Sequence, residues 1–172
     1  MSVYDVIKSR GSIRKFKPEP IPQKDLDTIL DSARLAQSAA NRQPWEFIVI
    51  SDASRKSTLV TVAGHQEFVG EAATVVVCLG DPSASAAVGA YNGMLIDMGI
   101  AIENMVLTAW DLGVGSCWIG AYNEGGVKQL LSIPDRLRVV SMLVLGYPAQ
   151  EPGSKRRKSL SEIVHYEKYG SK

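Results

Sequence analysis

Two arginines and a serine near the start of the chain have the types and spacing of an anion site. Arg10, Ser12 and Arg14 alternate in the segment RGSIR, so an extended backbone would place all three side chains on one side. The planar guanidinium group matches the oxygens of a phosphate with two parallel hydrogen bonds. The alternative is a solvated basic turn after a short helix, because basic patterns of this length also arise by chance.

A second group, with three amides and a hydroxyl, precedes an apolar stretch that begins at Trp45. Gln37, Ser38, Asn41 and Gln43 lie within a few positions of one another. An amide side chain carries both a donor and an acceptor, so this set could bind the edge of a flat heterocycle that alternates donors and acceptors. A polar loop whose side chains cap backbone groups explains the same residues equally well.

Two later segments are candidates for contact with the same kind of ligand. The glycines of the segment GVGSCWIG, residues 113–120, stop a helix and allow the backbone to approach a flat group closely. This is no dinucleotide fingerprint, because Trp118 stands at the third glycine position and the segment runs from helix to strand. The run KRRK, residues 155–158, is either a solvated basic tail or a source of another cation for a bound phosphate.

The elements that must position these groups alternate between helices and apolar strands. The apolar spacing predicts helices over Val3–Ser9, Pro22–Leu35, Ser54–Ala63, Gly89–Leu112 and Glu124–Leu131, with a last turn within Leu160–Tyr166. Apolar runs predict strands over Trp45–Ile50, Thr74–Leu79, Ser116–Ile119 and Val139–Leu145. The long helix contains too many polar residues to span a membrane but is apolar around most of its circumference. That pattern is a first indication of a partner subunit.

The composition limits the class of protein. A chain of 172 residues has room for one core, and we predict a single mixed α/β layered domain over residues 1–172. Nineteen Lys and Arg against 18 Asp and Glu give a net charge of +1, which leaves no global field to hold nucleic acid or an anionic membrane. Two cysteines and two histidines show no metal or disulfide-scaffold spacing. The cysteine usage and the absence of an apolar signal core predict a cytoplasmic protein.

Taken together, the segments resemble the nitroreductase family of flavoproteins over nearly the whole chain. The resemblance rests on the order and spacing of Arg10-x-Ser12-x-Arg14, Ser38-x-x-Asn41-x-Gln43-Pro44-Trp45, Glu103-Asn104-Met105, residues 113–120, Leu145-Gly146-Tyr147-Pro148, Lys155-x-Arg157 and residues 162–166. It implies an FMN-binding homodimer with an α+β sandwich fold, in which helices flank a mixed, mostly antiparallel sheet. It also implies that residues 150–172 form an arm that packs on the partner subunit.

The same resemblance implies roles for individual residues. Arg10, Ser12 and Arg157 would hold the FMN phosphate with Lys155 close by, and Arg14 would lie near the N1/O2 side of the ring. The loop that contacts the ring or ribityl chain would come from the partner subunit and contribute Ser38, Asn41 and Gln43. The backbone of Trp118, Ile119 and Gly120 would line the ring, and Gly11 and Gln37 complete the predicted cofactor-binding set. No side chain is predicted to be catalytic, and no metal site is predicted.

This sequence departs from the family pattern in the loop and in a later connection. Gln37 replaces a common proline and Ala40 replaces a common glycine, both beside the flavin. Residues 81–89 form a very short connection, where larger relatives carry a lid. These differences predict an altered ring pocket that is open and loosely selective.

The reaction that the resemblance implies is an oxidoreductase reaction with NAD(P)H as the electron donor. Hydride would pass through flavin N5 to a nitroaromatic, a quinone or a similar small acceptor by a ping-pong scheme. An FMN-binding dimer with little turnover, a flavin carrier or sensor, is the alternative. A small domain that binds nucleic acid through the basic tail is a third reading, and the net charge of +1 argues against it.

Overall fold

A computed structural model describes residues 1–171. The helices are α1 Val3–Ser9, α2 Gln23–Arg34, α3 Ala53–Val62, α4 Phe68–Glu71, α5 Met94–Asp111, α6 Glu124–Leu131 and α7 Leu160–Ile163. The strands are β1 Trp45–Ile50, β2 Thr74–Gly80, β3 Ala87–Val88, β4 Tyr91–Asn92, β5 Gly115–Ile119 and β6 Arg138–Gly146. A single 3-10 turn, Ala39–Asn41, lies between α2 and β1. Lys172, the last residue of the predicted domain and arm, lies outside the described residues.

Four strands form one antiparallel sheet in the order β1-β2-β6-β5. Trp45 stands opposite Gly80, and Gly115 stands opposite Gly146. The expected α+β fold with an antiparallel sheet and helices is confirmed. Within residues 1–171, the one parallel pairing is an isolated bridge between Ser12 and Ser116, on the outer side of β5. Two strands separate β1 from β5, so these edges lie about 14 Å apart at a spacing of roughly 4.8 Å.

Two apolar cores cover the two faces of the sheet. Every residue of β2 is buried, and its successive side chains point to opposite faces, so Val76 belongs to one core and Val77 to the other. The first core packs α2 and α5 on the sheet, and the second packs α3, α4 and α6 on it. A strand that is apolar on both faces therefore lies at the centre of three layers.

The long helix differs from its prediction in where it begins. Its predicted start at Gly89 is wrong, because β3 and β4 form a small hairpin there and α5 begins at Met94. Gly93 ends the hairpin at a crowded point, where a Cβ atom would lie 2.6 Å from the Ala86 carbonyl oxygen. One face of α5 is buried, whereas Ile96 on the opposite face is 47% exposed. Within residues 1–171, no helix combines the length and apolar character that crossing a membrane requires.

The C-terminal segment runs back along the N-terminal segment of the same chain. The Lys17 N–H donates to the Tyr147 carbonyl at 2.9 Å, and the Ala149 N–H donates to the Lys15 carbonyl at 2.9 Å. Further along, a Cβ atom on Gly11 would lie 2.5 Å from Pro152 Cβ, so only glycine fits this approach. These contacts bring together the basic segments at the two ends of the sequence.

Candidate functional site

Three cations from opposite ends of the chain form a cluster at the surface. Arg10 follows the last residue of α1, and its N–H closes that helix by donating to the Val6 carbonyl at 2.9 Å. Lys155 Nζ donates to the Lys8 carbonyl at 3.2 Å. Partial burial, followed by the nearby charges of Arg10 and Arg157, holds the pKa of Lys155 below its usual range. The structure thus places Arg10, Lys155 and Arg157 together, and we call them the cation cluster.

The cation cluster has donors that the protein itself does not satisfy. Among the described residues, Arg10 Nε is the one buried side-chain nitrogen or oxygen without a hydrogen-bond partner. None of the salt bridges within residues 1–171 involves the three cations. A buried donor without an acceptor is costly, and like charges repel one another. Both features fit a site that accepts an anion with several oxygens.

Ser12 and Arg14 lie beside the cluster along the edge of β5. The Ile13 N–H donates to the Ser116 carbonyl at 2.8 Å, and the Ile13 side chain is fully buried between two exposed neighbours. The exposed side of this segment thus carries Ser12 and Arg14, two of the three side chains that the predicted alternation places together. Burial raises the pKa of the adjacent Cys117 thiol, and the charge of Arg14 and the Ser12 hydroxyl act in the opposite direction.

The end of β5 offers a surface for a flat group. Trp118 is 40% exposed, while its neighbours Cys117 and Ile119 point inward and are buried. Around Gly120, a Cβ atom would meet no other heavy atom within 4 Å. The backbone after Ile119 is thus open to close approach from outside.

The polar loop, residues 37–43, has an unusual backbone. Ala40, Asn41 and Gln43 have φ angles of 52°, 54° and 49°, in the left-handed region that residues other than glycine adopt only at a cost. The Gln43 N–H donates to Ser38 Oγ at 2.9 Å, and Gln43 Nε2 donates to the backbone carbonyl and Oδ1 of Asn41, each at 3.2 Å. Gln37, Asn41 and Gln43 are exposed. The loop therefore presents amide groups in a fixed arrangement.

The polar loop and the cation cluster lie at opposite ends of α5. The Ala39 N–H donates to Asp97 Oδ1 at 2.9 Å in the first turn of the helix. In its last turn, Trp110 Nε1 donates to Ser9 Oγ at 2.8 Å, next to Arg10. Asp97 and Trp110 are more than three turns apart, which is about 20 Å at roughly 1.5 Å per residue. The loop also leads into β1, at the sheet edge opposite β5.

One chain therefore assembles only part of the predicted set. The structure brings together the residues of the two termini and the outer strand: Arg10, Gly11, Ser12, Arg14, Trp118, Ile119, Gly120, Lys155 and Arg157. It places the other four at the far end of α5: Gln37, Ser38, Asn41 and Gln43.

Two residues in contact with these groups were not among the sequence candidates. Asp97 is 2% exposed and holds the loop, and the available signal was an acid near the start of a mostly apolar helix. Cys117 lies against Ser12 and Arg14, and its place in an apolar strand gave no signal. Within the described chain, no group of three His, Cys, Asp or Glu side chains could hold a metal ion.

Comparisons with known proteins agree on one family. The model of the Nitroreductase family matches residues 7–65 and 52–147. A protein of Methanothermobacter thermautotrophicus, provisionally named NADH dehydrogenase/NAD(P)H nitroreductase, is 33% identical over 98% of this chain and 88% of its own length. The crystal structure of a nitroreductase family protein from Clostridium novyi NT is 36% identical, with a TM-score of 0.83 over 99% of this chain and 96% of that one. The NADPH:FMN oxidoreductase of Vibrio harveyi, solved in complex with NAD+, is 28% identical, with a TM-score of 0.87 over 97% of this chain and 77% of that one.

Proposed function

The chain belongs to the nitroreductase family, and we propose that it is an NAD(P)H oxidoreductase that binds FMN between two copies of itself. The main support for this proposal is the cation cluster, in which Arg10 Nε is buried and has no hydrogen-bond partner. The Vibrio harveyi relative supports the choice of ligand, because its name pairs FMN with a nicotinamide cofactor. We take the whole described chain as one FMN-binding domain.

The FMN phosphate fits the cation cluster by charge and by donor count. Arg10, Lys155 and Arg157 would neutralise a phosphate dianion, and the Ser12 hydroxyl would donate from the adjoining segment. Hydrogen bonds between ionised groups are about twice as strong as neutral ones. Pro152 occupies the space that a side chain at Gly11 would fill. This close contact keeps the two basic segments together.

The ring would lie along the end of β5. Gly120 leaves room for a flat group against the backbone, and Trp118 exposes its indole beside it. When bound, FMN supplies hydride transfer between NAD(P)H and an acceptor. Arg14 would place its positive charge near the N1/O2 edge, where it favours the reduced anion. This chain's residues would bind and orient the cofactor, and none is required to act as a general acid or base.

The other edge of the ring would be contacted by the partner subunit. The polar loop of the same chain lies about 20 Å away along α5, so Gln37, Ser38, Asn41 and Gln43 would have to come from a second copy. Apolar side chains are exposed on α1 and on the outer face of α5, among them Ile7 at 51% and Ile96 at 47%. A two-fold dimer through these faces would bury them and complete two identical sites. The arm, including the exposed Leu160 of α7, would pack on the partner.

The acceptors would be small and varied. Residues 81–93 form a turn and the two-residue strands β3 and β4, in place of a long covering segment. A pocket with so little cover favours acceptors such as nitroaromatics and quinones. We propose a shared-site, ping-pong scheme, in which the oxidised nicotinamide leaves before the acceptor enters the same place.

Two measurements on the purified protein test the proposal. Titration with FMN should give stoichiometric, visibly yellow protein, and riboflavin, which lacks the phosphate, should bind far more weakly. Anaerobic addition of NADH or NADPH should then bleach the visible flavin band promptly. A protein that never loads FMN would refute the cofactor assignment, and a loaded protein that neither nicotinamide bleaches would support the flavin carrier instead.

A further inference from the structure

We propose that Asp97 is a positioning residue of the flavin site, which holds the polar loop in the conformation that presents its amides. The ligand in this inference rests on the proposed function, whereas the anchoring of the loop rests on the geometry alone. Asp97 lies outside the predicted cofactor-binding set, and it would act through the loop without touching the flavin.

One buried carboxylate connects three segments of the chain. Asp97 is 2% exposed and lies in the first turn of α5. Its Oδ1 accepts the Ala39 N–H of the polar loop at 2.9 Å. Its Oδ2 accepts a longer hydrogen bond, 3.4 Å, from Ser85 Oγ in the segment before β3. The loop, the long helix and the hairpin therefore share a single anchor.

The polar loop needs such an anchor because of its backbone. Three residues other than glycine, Ala40, Asn41 and Gln43, occupy the left-handed region, which persists only where surrounding contacts enforce it. Among the described hydrogen bonds of residues 37–43, the one from Ala39 to Asp97 is the one that leaves the loop. Loss of that bond would free the loop to relax and would move the amides of Asn41 and Gln43.

The buried charge is compatible with its place in the helix. No salt bridge within residues 1–171 pairs Asp97 with a cation. The N-terminal end of α5, a helix of 18 residues, instead supplies a favourable dipole for a negative group. A charge-assisted hydrogen bond to a backbone N–H is stronger than one between neutral groups. A carboxylate at this position thus holds the loop more firmly than a hydroxyl would.

Three variants separate positioning from general stability. Asp97→Ala removes the acceptor, and Asp97→Asn keeps an oxygen that can accept the Ala39 N–H. Val106→Ala removes buried volume from the same helix, far from the loop, and serves as the matched control. If Asp97→Ala does not fold, Ala39→Pro deletes the donor instead, and only the titrations with FMN and riboflavin then apply, because proline has no amide hydrogen to exchange. Proline is tolerated there because Ser38 before it is extended, with φ −143° and ψ 157°.

The first measurement is hydrogen exchange of the Ala39 amide without FMN, and the second is titration with FMN and with riboflavin. Asp97→Ala should expose the amide to exchange and weaken FMN binding about tenfold to a hundredfold, as expected for one lost charged hydrogen bond. The ratio of FMN to riboflavin affinity should stay unchanged, because the phosphate contacts are intact. Asp97→Asn should restore both properties in part, because its neutral amide oxygen accepts a weaker hydrogen bond. Val106→Ala should alter neither property while lowering the melting temperature.

Each contrary result has a separate meaning. Protection of the Ala39 amide in Asp97→Ala, or FMN binding equal to that of the wild type, would overturn the inference. An equal loss of FMN binding in Val106→Ala would also overturn it, because general destabilisation would then explain the effect. The Ala39 amide could be protected in the wild type and exposed in Asp97→Ala while the wild type binds no FMN. That result would overturn the proposed function, and with it the flavin role of Asp97.

Discussion

The cation cluster and the polar loop are built in contrasting ways. The cluster joins residues from opposite ends of the chain, as the hydrogen bond from Lys155 to Lys8 shows. The loop is local, and its internal hydrogen bonds span at most five positions. The cluster carries charge and suits a phosphate, whereas the loop carries neutral amides and suits a ring edge. In the proposed FMN site, the cluster would supply most of the binding free energy through the phosphate, and the loop would orient the ring.

The two regions also lie far apart in one chain. Each is complete in one chain, yet α5 separates them by about 20 Å. A two-fold axis across the exposed face of α5 would resolve this, because each site would then take its cluster from one chain and its loop from the other. On this view, dimerisation is a condition for binding FMN.

The largest expected effect comes from breaking the proposed dimer, which would separate the cation cluster of one chain from the polar loop of the other. The double variant Ile7→Asp, Ile96→Asp places charges on the exposed apolar faces of α1 and α5. Because burial of an unpaired charge is strongly unfavourable, the protein should become monomeric and lose measurable FMN binding. Light scattering and FMN titration measure the two properties. Leu130→Asp, on the exposed surface of α6, should change neither. A monomer that retains FMN would refute the shared site.

The next largest effect comes from dismantling the cluster alone. The double variant Arg10→Ala, Arg157→Ala should lose about 10²- to 10⁴-fold in FMN affinity, because each charged hydrogen bond contributes roughly 1.5–3 kcal/mol. The protein should purify soluble and colourless, and its weak riboflavin binding should change little. Arg34→Ala, Arg55→Ala provides the control, since both arginines are exposed on other helices. Purification of the first variant with stoichiometric FMN would show that the phosphate assignment is wrong.

The contrast between local and distant structure also explains which parts of the fold the sequence could predict. The bounds of α1, β1 and α6 agree with their predictions residue by residue, because apolar spacing and turn residues determine them locally. The hairpin of β3 and β4 was missed, since two-residue strands have no measurable period. The four-residue helix α4 was missed for the same reason.

In the candidate site, too, the residues placed by local structure were predictable and those placed by distant contacts were not. The residue types of Arg10, Ser12 and Arg14 predicted an anion site, and their alternation follows from a short extended segment. That Lys155 would return to this place depends on packing of the tail against residues 15–17, which no local pattern encodes. The role of Asp97 depends on a loop 58 positions away, so its sequence neighbours indicated only a polar residue in an apolar helix.

A smaller effect should follow from disturbing the packing that holds the cluster together. In Gly11→Ala, the new Cβ would lie 2.5 Å from Pro152 Cβ, so the tail must shift and carry Lys155 and Arg157 with it. Overpacking of this kind costs about 1–3 kcal/mol, and we expect a lower melting temperature and weaker FMN binding. Gly153→Ala is a matched control, because its Cβ would meet nothing within 4 Å. Equal behaviour of the two variants would show that the tail does not hold the cluster.

The smallest expected effect, of opposite sign, lies in the loop. Ala40 has φ 52° and ψ 27°, a conformation that costs an alanine roughly 1 kcal/mol and a glycine almost nothing. Ala40→Gly should therefore stabilise the protein by up to about 1 kcal/mol, because relief of strain outweighs the added freedom of the unfolded chain.

The neighbouring Ala39 tests this reasoning, since it is not among the residues with a positive φ. Ala39→Gly relieves no strain and should destabilise the protein by about 0.5–1 kcal/mol, the usual cost of a more flexible unfolded chain. The hydrogen bond to Asp97 uses the backbone N–H and survives in both variants. Denaturant unfolding of the pair should thus give shifts of opposite sign, with FMN affinity nearly unchanged. Shifts of the same sign would mean that position 40 is not strained, and the left-handed turn at Ala40 would then not need Asp97 to enforce it.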